Sequence, residues 1–279
     1  MIVQRGSPFR RLWALHLPMG MIVLFALGPY LWMALTSLKR ESTLFSPERR
    51  ILPTEVTLEN YVRLFSKTTF LANLGDSLIV AAGTMMLGLS VSITAAYAFS
   101  RFRFPGRRAL MLQFLLINMF PIVLLIIPLF IIMRNIGLLD THLALVLAHS
   151  TFSIPFATWM MTSYFDAIPR TLDEAAMVDG CGPLGAMLRI VLPLTMPGII
   201  ATGVYIFIAS WNEYLYASVL AGQKVRTLTV AVQTLIGENE IAWGLLTAGG
   251  VIGALPVTLL FMLIQKRLVA GMTQGAVKG

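Results

Sequence analysis

The stretch TLDEAAMVDGCGPLGAMLRIVLPLTMPG, residues 171–198, carries three carboxylates and four glycines between two long hydrophobic runs. Its opening TLDE predicts a capping box, with Thr171 at the N-cap of a helix and Glu174 at position N3. Because glycine is favoured just beyond a helix C-terminus, we expect the first helix to end at Gly180, and Pro183 suits the first turn of a second helix. The stretch is therefore predicted to be two short helices joined by a glycine elbow.

The rest of the chain is strongly apolar. Of its 279 residues, 57% are hydrophobic and 12% are charged, whereas a soluble domain carries about 25% charged residues. A helix of about 20 apolar residues spans the hydrocarbon core of a bilayer and pairs its own backbone groups. The sequence therefore predicts an all-α membrane protein with six transmembrane helices. The six runs are 13–36, 77–99, 109–133, 142–163, 195–220 and 244–265.

Basic residues indicate the orientation of these spans. The net charge is +8, and the basic residues gather on loops that a six-span count places on one side, which the positive-inside rule assigns to the cytoplasm. Lys39 and Arg40 lie on the predicted outer side, but in a long loop, where the rule is weak. Both termini are therefore predicted to be cytoplasmic, and the charge indicates no nucleic-acid partner. The clusters are Arg5, Arg10, Arg11, Arg101, Arg103, Arg107, Arg108, Lys266 and Arg267.

The span count divides the chain into a cytoplasmic N-terminus, 1–12, a transmembrane domain, 13–267, and a cytoplasmic tail, 268–279. Three loops within the transmembrane domain are long enough for partners. They are the outer loops 37–76 and 221–243 and the polar inner loop 164–194.

The polar loop also carries a recognisable spacing, which runs Glu-Ala-Ala, three residues, Gly, nine residues, then Ile, Leu and Pro. It resembles the EAA signature of ABC-importer permeases, and the resemblance implies the type I importer permease fold with cytoplasmic coupling helices. The stretches AAYAFSRFRFPGRRALM and WNEYLYA resemble the carbohydrate branch, the maltose-type and glycerol-phosphate-type permeases. Asp76-Ser77 departs from the Asn-Ser expected there. The signature residues are Glu174, Ala175, Ala176, Gly180, Ile190, Leu192 and Pro193.

The resemblance implies that the elbow docks in a cleft of a cytoplasmic ATPase. Glu174 would pair with a basic residue there, Ala175 and Ala176 would form the close-packing face, and Gly180 would form the bend. The chain itself has no G-x-x-x-x-G-K-[ST] loop, so ATP and Mg are expected on the partner and no cofactor on this chain. From the residues alone, a loop that merely caps its own bundle fits equally well.

The family also implies partners and a location. They are a second homologous permease, two ATPase subunits, a periplasmic or lipid-anchored solute-binding protein and the lipid of a bacterial or archaeal inner membrane. In the maltose-type permease the tail reaches the ATPase interface, so Gln274, Gly275 and Lys278 are candidates for that contact. A frayed tail is the alternative.

Candidates for the solute path or a gate are Asn118, Trp211, Asn212 and Glu213. Glu213 is the carboxylate well inside a predicted span, where an ionisable residue is a functional hypothesis by default. A structural or gating role is favoured over direct contact with solute. His142 and His149 share a helical face, but no carboxylate accompanies them in that span, so a hydrolase or metal site is disfavoured.

Two functions are compared. The first is the non-enzymatic permease subunit of an ATP-driven, binding-protein-dependent importer for a sugar, polyol or sugar derivative. The alternative is a self-powered secondary transporter, which predicts ion-coupling residues near the middle of the membrane and internal repeats. Glu213 is one off-centre candidate for such a residue, and no repeat is evident.

Overall fold

The computed structural model describes residues 12–44, 52–53, 55–237 and 241–276, with the side chains of residues 13–265 among them. This part of the chain is helical, apart from connecting turns and one isolated bridge between Ile236 and Ile241. The main helices are α1 (Leu17–Ser37), α2 (Glu59–Lys67), α3 (Phe70–Arg101), α4 (Arg107–Met119), α5 (Ile126–Asn135), α6 (His142–Asp166), α7 (Arg170–Val178), α8 (Pro183–Ala186), α9 (Met196–Trp211), α10 (Leu215–Leu220), α11 (Leu228–Gln233) and α12 (Trp243–Ala276). Shorter helical pieces are Leu12–His16, Glu41–Leu44, Ile122–Leu125, Met187–Val191 and Leu192–Leu194.

Four helical stretches in the described residues are long and apolar enough to cross a membrane: Trp13–Ser37, Phe70–Arg101, His142–Asp166 and Trp243–Gln265. Two further pairs of helices pass the same test only when taken together. They are Arg107–Met119 with Ile122–Asn135, bent by 99°, and Pro183–Leu194 with Met196–Trp211, bent by 83°. The described residues thus contain four unbroken candidate spans, or up to six if each bent pair counts as one.

The bend in the third run follows from a proline. Pro121 has no N–H to donate and disfavours helical backbone in the residue before it. Phe120 is accordingly extended, with φ −74° and ψ 134°, between the end of α4 and the 3₁₀ turn Ile122–Leu125. The predicted run 109–133 is therefore two helices with a bend between them.

The fifth run also differs from the prediction. Helix α9 ends at Trp211, and the chain resumes as the separate helix Leu215–Leu220 after three residues that include Glu213. The predicted run 195–220 is therefore interrupted, and Glu213 lies in a break rather than well inside a helix.

The structure divides into two compact units. The larger comprises Thr69–Gln233 and Leu255–Gly279, and in it α3 packs along α6 and α9. One cluster of buried apolar side chains lies around Leu145 and Tyr216, and a second lies around Met161 and Phe165.

A close approach joins α9 to α6 in this unit. A Cβ atom on Gly198 would overlap the Tyr164 ring. The helices meet at the start of α9 only because that position has no side chain.

The smaller unit comprises Met1–Thr68 and Thr234–Ala254. The buried amide of Asn60 donates to the carbonyl oxygens of Ser37 at 2.8 Å and Lys39 at 2.7 Å. The N–H of Gly244 donates to the Glu41 carboxylate at 2.9 Å. These bonds fix the residues that directly follow α1, so the start of the predicted outer loop is ordered.

A carboxylate also orders the loop after α10. Asp140 accepts backbone N–H bonds from residues 222–225 at 2.8 to 3.2 Å. Desolvation by itself would raise the pKa of Asp140, but these four donors outweigh it and hold the pKa below its ordinary value. The loop is therefore shaped around one ionised side chain.

Candidate functional sites

The first site is the elbow, residues 170–194. Helix α7 begins at Arg170 with Pro169 as its N-cap, and no side chain caps it. The predicted capping box of Thr171 and Glu174 is therefore wrong. The physical reason is that Leu172 already donates to the carbonyl of Pro169 at 3.2 Å, which places Thr171 inside the first turn.

The turn of the elbow is the one predicted. Gly180 has φ +87°, its N–H donates to Met177 at 3.1 Å, and the next N–H, of Cys181, donates to Ala176 at 3.0 Å. These two bonds form a Schellman motif, which needs a left-handed residue at the Gly180 position. The second helix then begins at Pro183, as predicted.

The inward face of the elbow holds a buried ion pair. Asp173 is 4% exposed, and its Oδ2 lies 3.0 Å from Nε of Arg101, the last residue of α3. The hydroxyl of Tyr97 donates to Oδ1 at 3.0 Å. The Arg101 guanidinium also donates to the carbonyls of Phe165 at 3.1 Å and Ile168 at 3.2 Å. The elbow, the end of α3 and the end of α6 are thereby joined at one point.

The outward face of the elbow is open. Glu174 and Ala175 are exposed, whereas Ala176 is buried within the bundle. Ile190 and Leu192 are half-buried, and Pro193 is exposed. The exposed large apolar side chains of the elbow are Leu172, Met177, Val178, Leu184, Leu188 and Leu194.

This apolar exposure distinguishes the elbow from an ordinary solvated turn. Val178, the last residue of α7, is 88% exposed. Exposed apolar groups next to a carboxylate, on a backbone fixed from behind by an ion pair, form a surface suited to a protein partner.

The second site is the break that contains Glu213. Its carboxylate accepts the N–H of Tyr216 at 2.8 Å and the N–H of Ala217 at 3.0 Å, so it satisfies donors at the start of α10. Nε2 of His149, on α6, lies 3.1 Å from Oε2 of the same carboxylate. Glu213 therefore fixes the short helix and contacts a neighbouring long helix.

The contact continues into a buried polar chain. Nδ1 of His149 lies 2.8 Å from the Ser210 hydroxyl, which donates to the Thr84 hydroxyl at 3.3 Å. The Thr229 hydroxyl donates to the backbone carbonyl of Glu213 at 2.7 Å. The chain of contacts joins α3, α6, α9 and α11 around the break.

The order of serine, histidine and carboxylate matches that of a hydrolase triad. Ser210, however, is 6% exposed and its hydroxyl is bonded to Thr84, so it does not face a substrate. Ser210, His149 and Glu213 therefore form structural hydrogen bonds between packed helices rather than a catalytic triad.

Of the other path candidates, Trp211 is buried and its ring stacks on Phe207 at 5.8 Å between centroids. Asn212 is exposed. Asn118 is also exposed, and its amide donates to the Phe114 carbonyl of its own helix at 2.9 Å.

The second histidine of α6 has its own carboxylate. Nε2 of His142 lies 2.8 Å from Oδ1 of Asp76, whose other oxygen accepts the N–H of Arg226 at 3.0 Å. The neighbouring Ser77 hydroxyl accepts the N–H of Leu228 at 2.7 Å. Asp76-Ser77, where the sequence departs from the family pattern, thus holds the start of α11.

Sequence reasoning missed Asp173, Arg101 and the partner of His149. The signal was present in part, because Asp173 directly precedes Glu174 and His149 is a polar ring within an apolar run. No spacing rule relates His149 to a carboxylate 64 residues away, so only the packing reveals the pair.

Several predicted residues lie beyond these sites. Gln274 and Gly275 belong to helix α12, but the side chain of Gln274 lies outside the described residues, as does the whole of Lys278. Arg5, Arg10 and Arg11 are outside them too. Within the described residues, no group of three or more His, Cys, Asp and Glu could hold a metal ion.

Comparisons with known proteins give a consistent result. Residues 70–274 match the family described as binding-protein-dependent transport system inner membrane component. The chain is 36% identical to the sulfoquinovosyl glycerol transport system permease protein SmoH of Agrobacterium fabrum, over 98% of this chain and 95% of that protein. It is also 36% identical to the trehalose transport system permease protein SugB of Mycobacterium tuberculosis, over 93% of this chain and 95% of that protein.

Among solved structures, the fold is similar to a chain of a bacterial ABC transporter involved in the import of the acidic polysaccharide alginate. The TM-score is 0.78 and the identity is 22%, over 94% of this chain and 98% of that chain. At 22% identity, this similarity is evidence for the fold alone.

Proposed function

This chain belongs to the family of binding-protein-dependent transport system inner membrane components, and we propose that it is the permease subunit of a carbohydrate-importing ABC transporter. It is a multi-pass membrane protein and a transport subunit rather than an enzyme. This proposal excludes the self-powered secondary transporter, because a transporter of this family would be driven by a partner ATPase.

The solute is proposed to be a sugar or a sugar derivative. The two relatives at 36% identity are permease proteins for sulfoquinovosyl glycerol and for trehalose, and each is matched over 93% or more of this chain. Both solutes contain a glycosidic bond and many hydroxyl groups, so a neutral or acidic glycoside fits the proposal.

The elbow is proposed to couple this subunit to an ATPase. The observation that carries the proposal is the exposed Glu174 face, held from behind by the Asp173–Arg101 pair. A force applied to this face would reach the ends of α3 and α6 directly, because Arg101 bonds the Phe165 carbonyl as well as Asp173.

The residue roles follow from this arrangement. Glu174 would bind a cation on the ATPase, Ala175 would allow close approach, and Gly180 would keep the bend. Ala176, Ile190, Leu192 and Pro193 would support the elbow from within the bundle or at its rim. In the family, the ATP and Mg belong to the partner ATPase.

The remaining partners are proposed on the same basis. Two ATPase subunits would sit on the elbow side, both termini would lie in the cytoplasm, and Gln274, Gly275 and Lys278 would lie towards the ATPase. A second, homologous permease would complete the path. A solute-binding protein would dock at the outer loops 37–76 and 221–243.

The break at Glu213 is proposed to act as a gate. Its carboxylate binds the start of α10 and contacts His149 on α6, so a change in the angle between α6 and α9 would shift the short helix. Trp211 and Asn212 would move with it. Asn118 lies one residue before the end of α4, next to the other bend, and is proposed to face the path.

The coupling proposal is tested in proteoliposomes that contain the assembled transporter. Glu174→Ala is expected to lower solute uptake at least tenfold while the ATPase continues to turn over, since the exposed side chain holds no part of this fold. Asp179→Ala is the matched control, because Asp179 is also an exposed acid of the elbow. Uptake that is unchanged in Glu174→Ala, or equally reduced in both variants, would contradict the assignment.

A further inference from the structure

An open groove lies between α4 and α6 in the larger unit, and the residues that line it belong neither to the elbow nor to the break. Its volume is about 490 Å³, within the range of about 300–1,000 Å³ that is typical of ligand sites. The residues that line it are Arg107, Arg108, Met111, Leu112, Leu115 and Trp159.

The groove is polar at one end and apolar along its length. Arg108, Leu112 and Leu115 follow the i, i+4, i+7 spacing of one helical face, so they form a single stripe on α4. The stripe runs about 10 Å at 1.5 Å per residue, from the cations at the helix N-terminus into the apolar run. Leu112 is 60% exposed and Trp159 is 39% exposed, so the apolar part is open.

Aromatic contacts fix the rotation of α4. Phe114 packs edge-on against Phe99 of α3, with ring centroids 5.8 Å apart, and Phe104 of the preceding turn packs on the same ring at 5.6 Å. The helix then begins after Gly106, whose φ is +82°. The face of α4 that carries the stripe is therefore fixed by these packing contacts.

The charge of the groove is uncompensated. Among the described residues, no carboxylate lies within 4.0 Å of the guanidinium groups of Arg107 and Arg108. The N-terminus of a helix adds positive potential at the same end. The site consequently favours an anion at its mouth and an apolar chain along its floor.

We propose that this groove binds one anionic phospholipid, with the phosphate at Arg107 and Arg108 and the upper part of an acyl chain along Met111, Leu112 and Leu115. Basic pockets between transmembrane helices recognise anionic headgroups in this way. Trp159 is suited to the boundary between headgroup and hydrocarbon, because indole is amphipathic. The proposal requires only that the chain lies in a membrane, and it is independent of the solute.

The experiment uses the assembled transporter, purified in detergent, with phosphatidylglycerol and phosphatidylcholine as probes. Native mass spectrometry gives the dissociation constant for each lipid. The expected result is at least a tenfold preference for phosphatidylglycerol, lost in the double variant Arg107→Gln/Arg108→Gln. Arg103→Gln is the matched control, since Arg103 is an exposed arginine of the same turn that does not line the groove. Its affinity should change less than twofold.

A second variant tests the apolar part. Leu112→Asp should weaken phosphatidylglycerol binding at least fivefold while leaving both arginines in place. The wild-type headgroup preference needs no variant, so the proposal stays testable even if the double variant fails to assemble.

Several outcomes would overturn the proposal. They are equal affinity for the two lipids, equal loss in Arg103→Gln, and displacement of phosphatidylglycerol by millimolar inorganic phosphate alone. A photoreactive residue at position 112 that crosslinks to the second permease instead of to lipid would also overturn it, because the groove would then be a subunit interface.

Discussion

In the elbow, the neighbouring carboxylates of Asp173 and Glu174 face opposite ways: Asp173 is 4% exposed and paired with Arg101, and Glu174 is exposed. In the break, the single carboxylate of Glu213 both caps α10 and contacts His149. In the elbow, one carboxylate stabilises the fold and the other is exposed to a partner. In the break, a single carboxylate stabilises the fold and is also the proposed gate.

This contrast predicts which substitutions separate stability from transport. In the elbow, loss of the outward carboxylate removes no contact inside this chain, so function can fail while the fold stays intact. In the break, loss of the carboxylate removes two helix-capping bonds and the contact with a buried imidazole. Stability and transport should therefore fall together there.

The largest expected effect is on the elbow's buried pair. Asp173→Ala would leave the buried guanidinium of Arg101 without its carboxylate, which costs about 3 kcal/mol in a buried pair, and the remaining carbonyl acceptors of Arg101 keep the loss at the low end of the range. This loss of stability is measured as the change in the free energy of unfolding in mixed micelles. Glu174→Ala is the control and should change that free energy by less than about 0.5 kcal/mol. If the two variants were equally unstable, the division of tasks in the elbow would be wrong.

An intermediate effect is expected in the break. Glu213→Gln keeps one acceptor oxygen but loses the second cap and the contact of the carboxylate with His149, so we expect a loss of about 1–2 kcal/mol in unfolding free energy. Uptake by the reconstituted transporter should slow about tenfold, equivalent to about 1.4 kcal/mol. Asn212→Ala, a change at the exposed neighbour, is the control for stability. Normal uptake in a destabilised Glu213→Gln protein would show that the role of Glu213 is structural and would contradict the proposed gate.

The smallest expected effect lies in the backbone of the elbow. Gly180→Ala places a side chain on a residue with φ +87°, and the left-handed conformation costs about 1 kcal/mol, although a Cβ there meets nothing within 4 Å. Gly182→Ala is the matched control, because Gly182 is two residues away, has φ −73° and is equally open. Equal unfolding free energies for the two variants would show that the Schellman turn is not needed.

The sequence alone was informative about local structure. Gly180 and Pro183 were predicted at the end of one helix and the start of the next, because left-handed φ and a missing N–H are properties of single residues. The apolar runs predicted the membrane helices for a similarly simple reason. The capping box failed because the helix begins two residues earlier, with Pro169 rather than Thr171 as its N-cap, a choice that the TLDE pattern does not encode.

The order of residues is enough to identify the class of protein, an all-α membrane chain with the EAA spacing, since length, hydropathy and spacing are one-dimensional properties. The packing of the helices, by contrast, is needed to see that Asp173 faces Arg101, that Glu213 lies in a break and contacts His149, and that Arg107 and Arg108 open onto an apolar groove. These contacts join helices distant in sequence, and their geometry depends on how the helices pack. Adjacent residues such as Asp173 and Glu174 can therefore have different roles that no pattern of letters distinguishes.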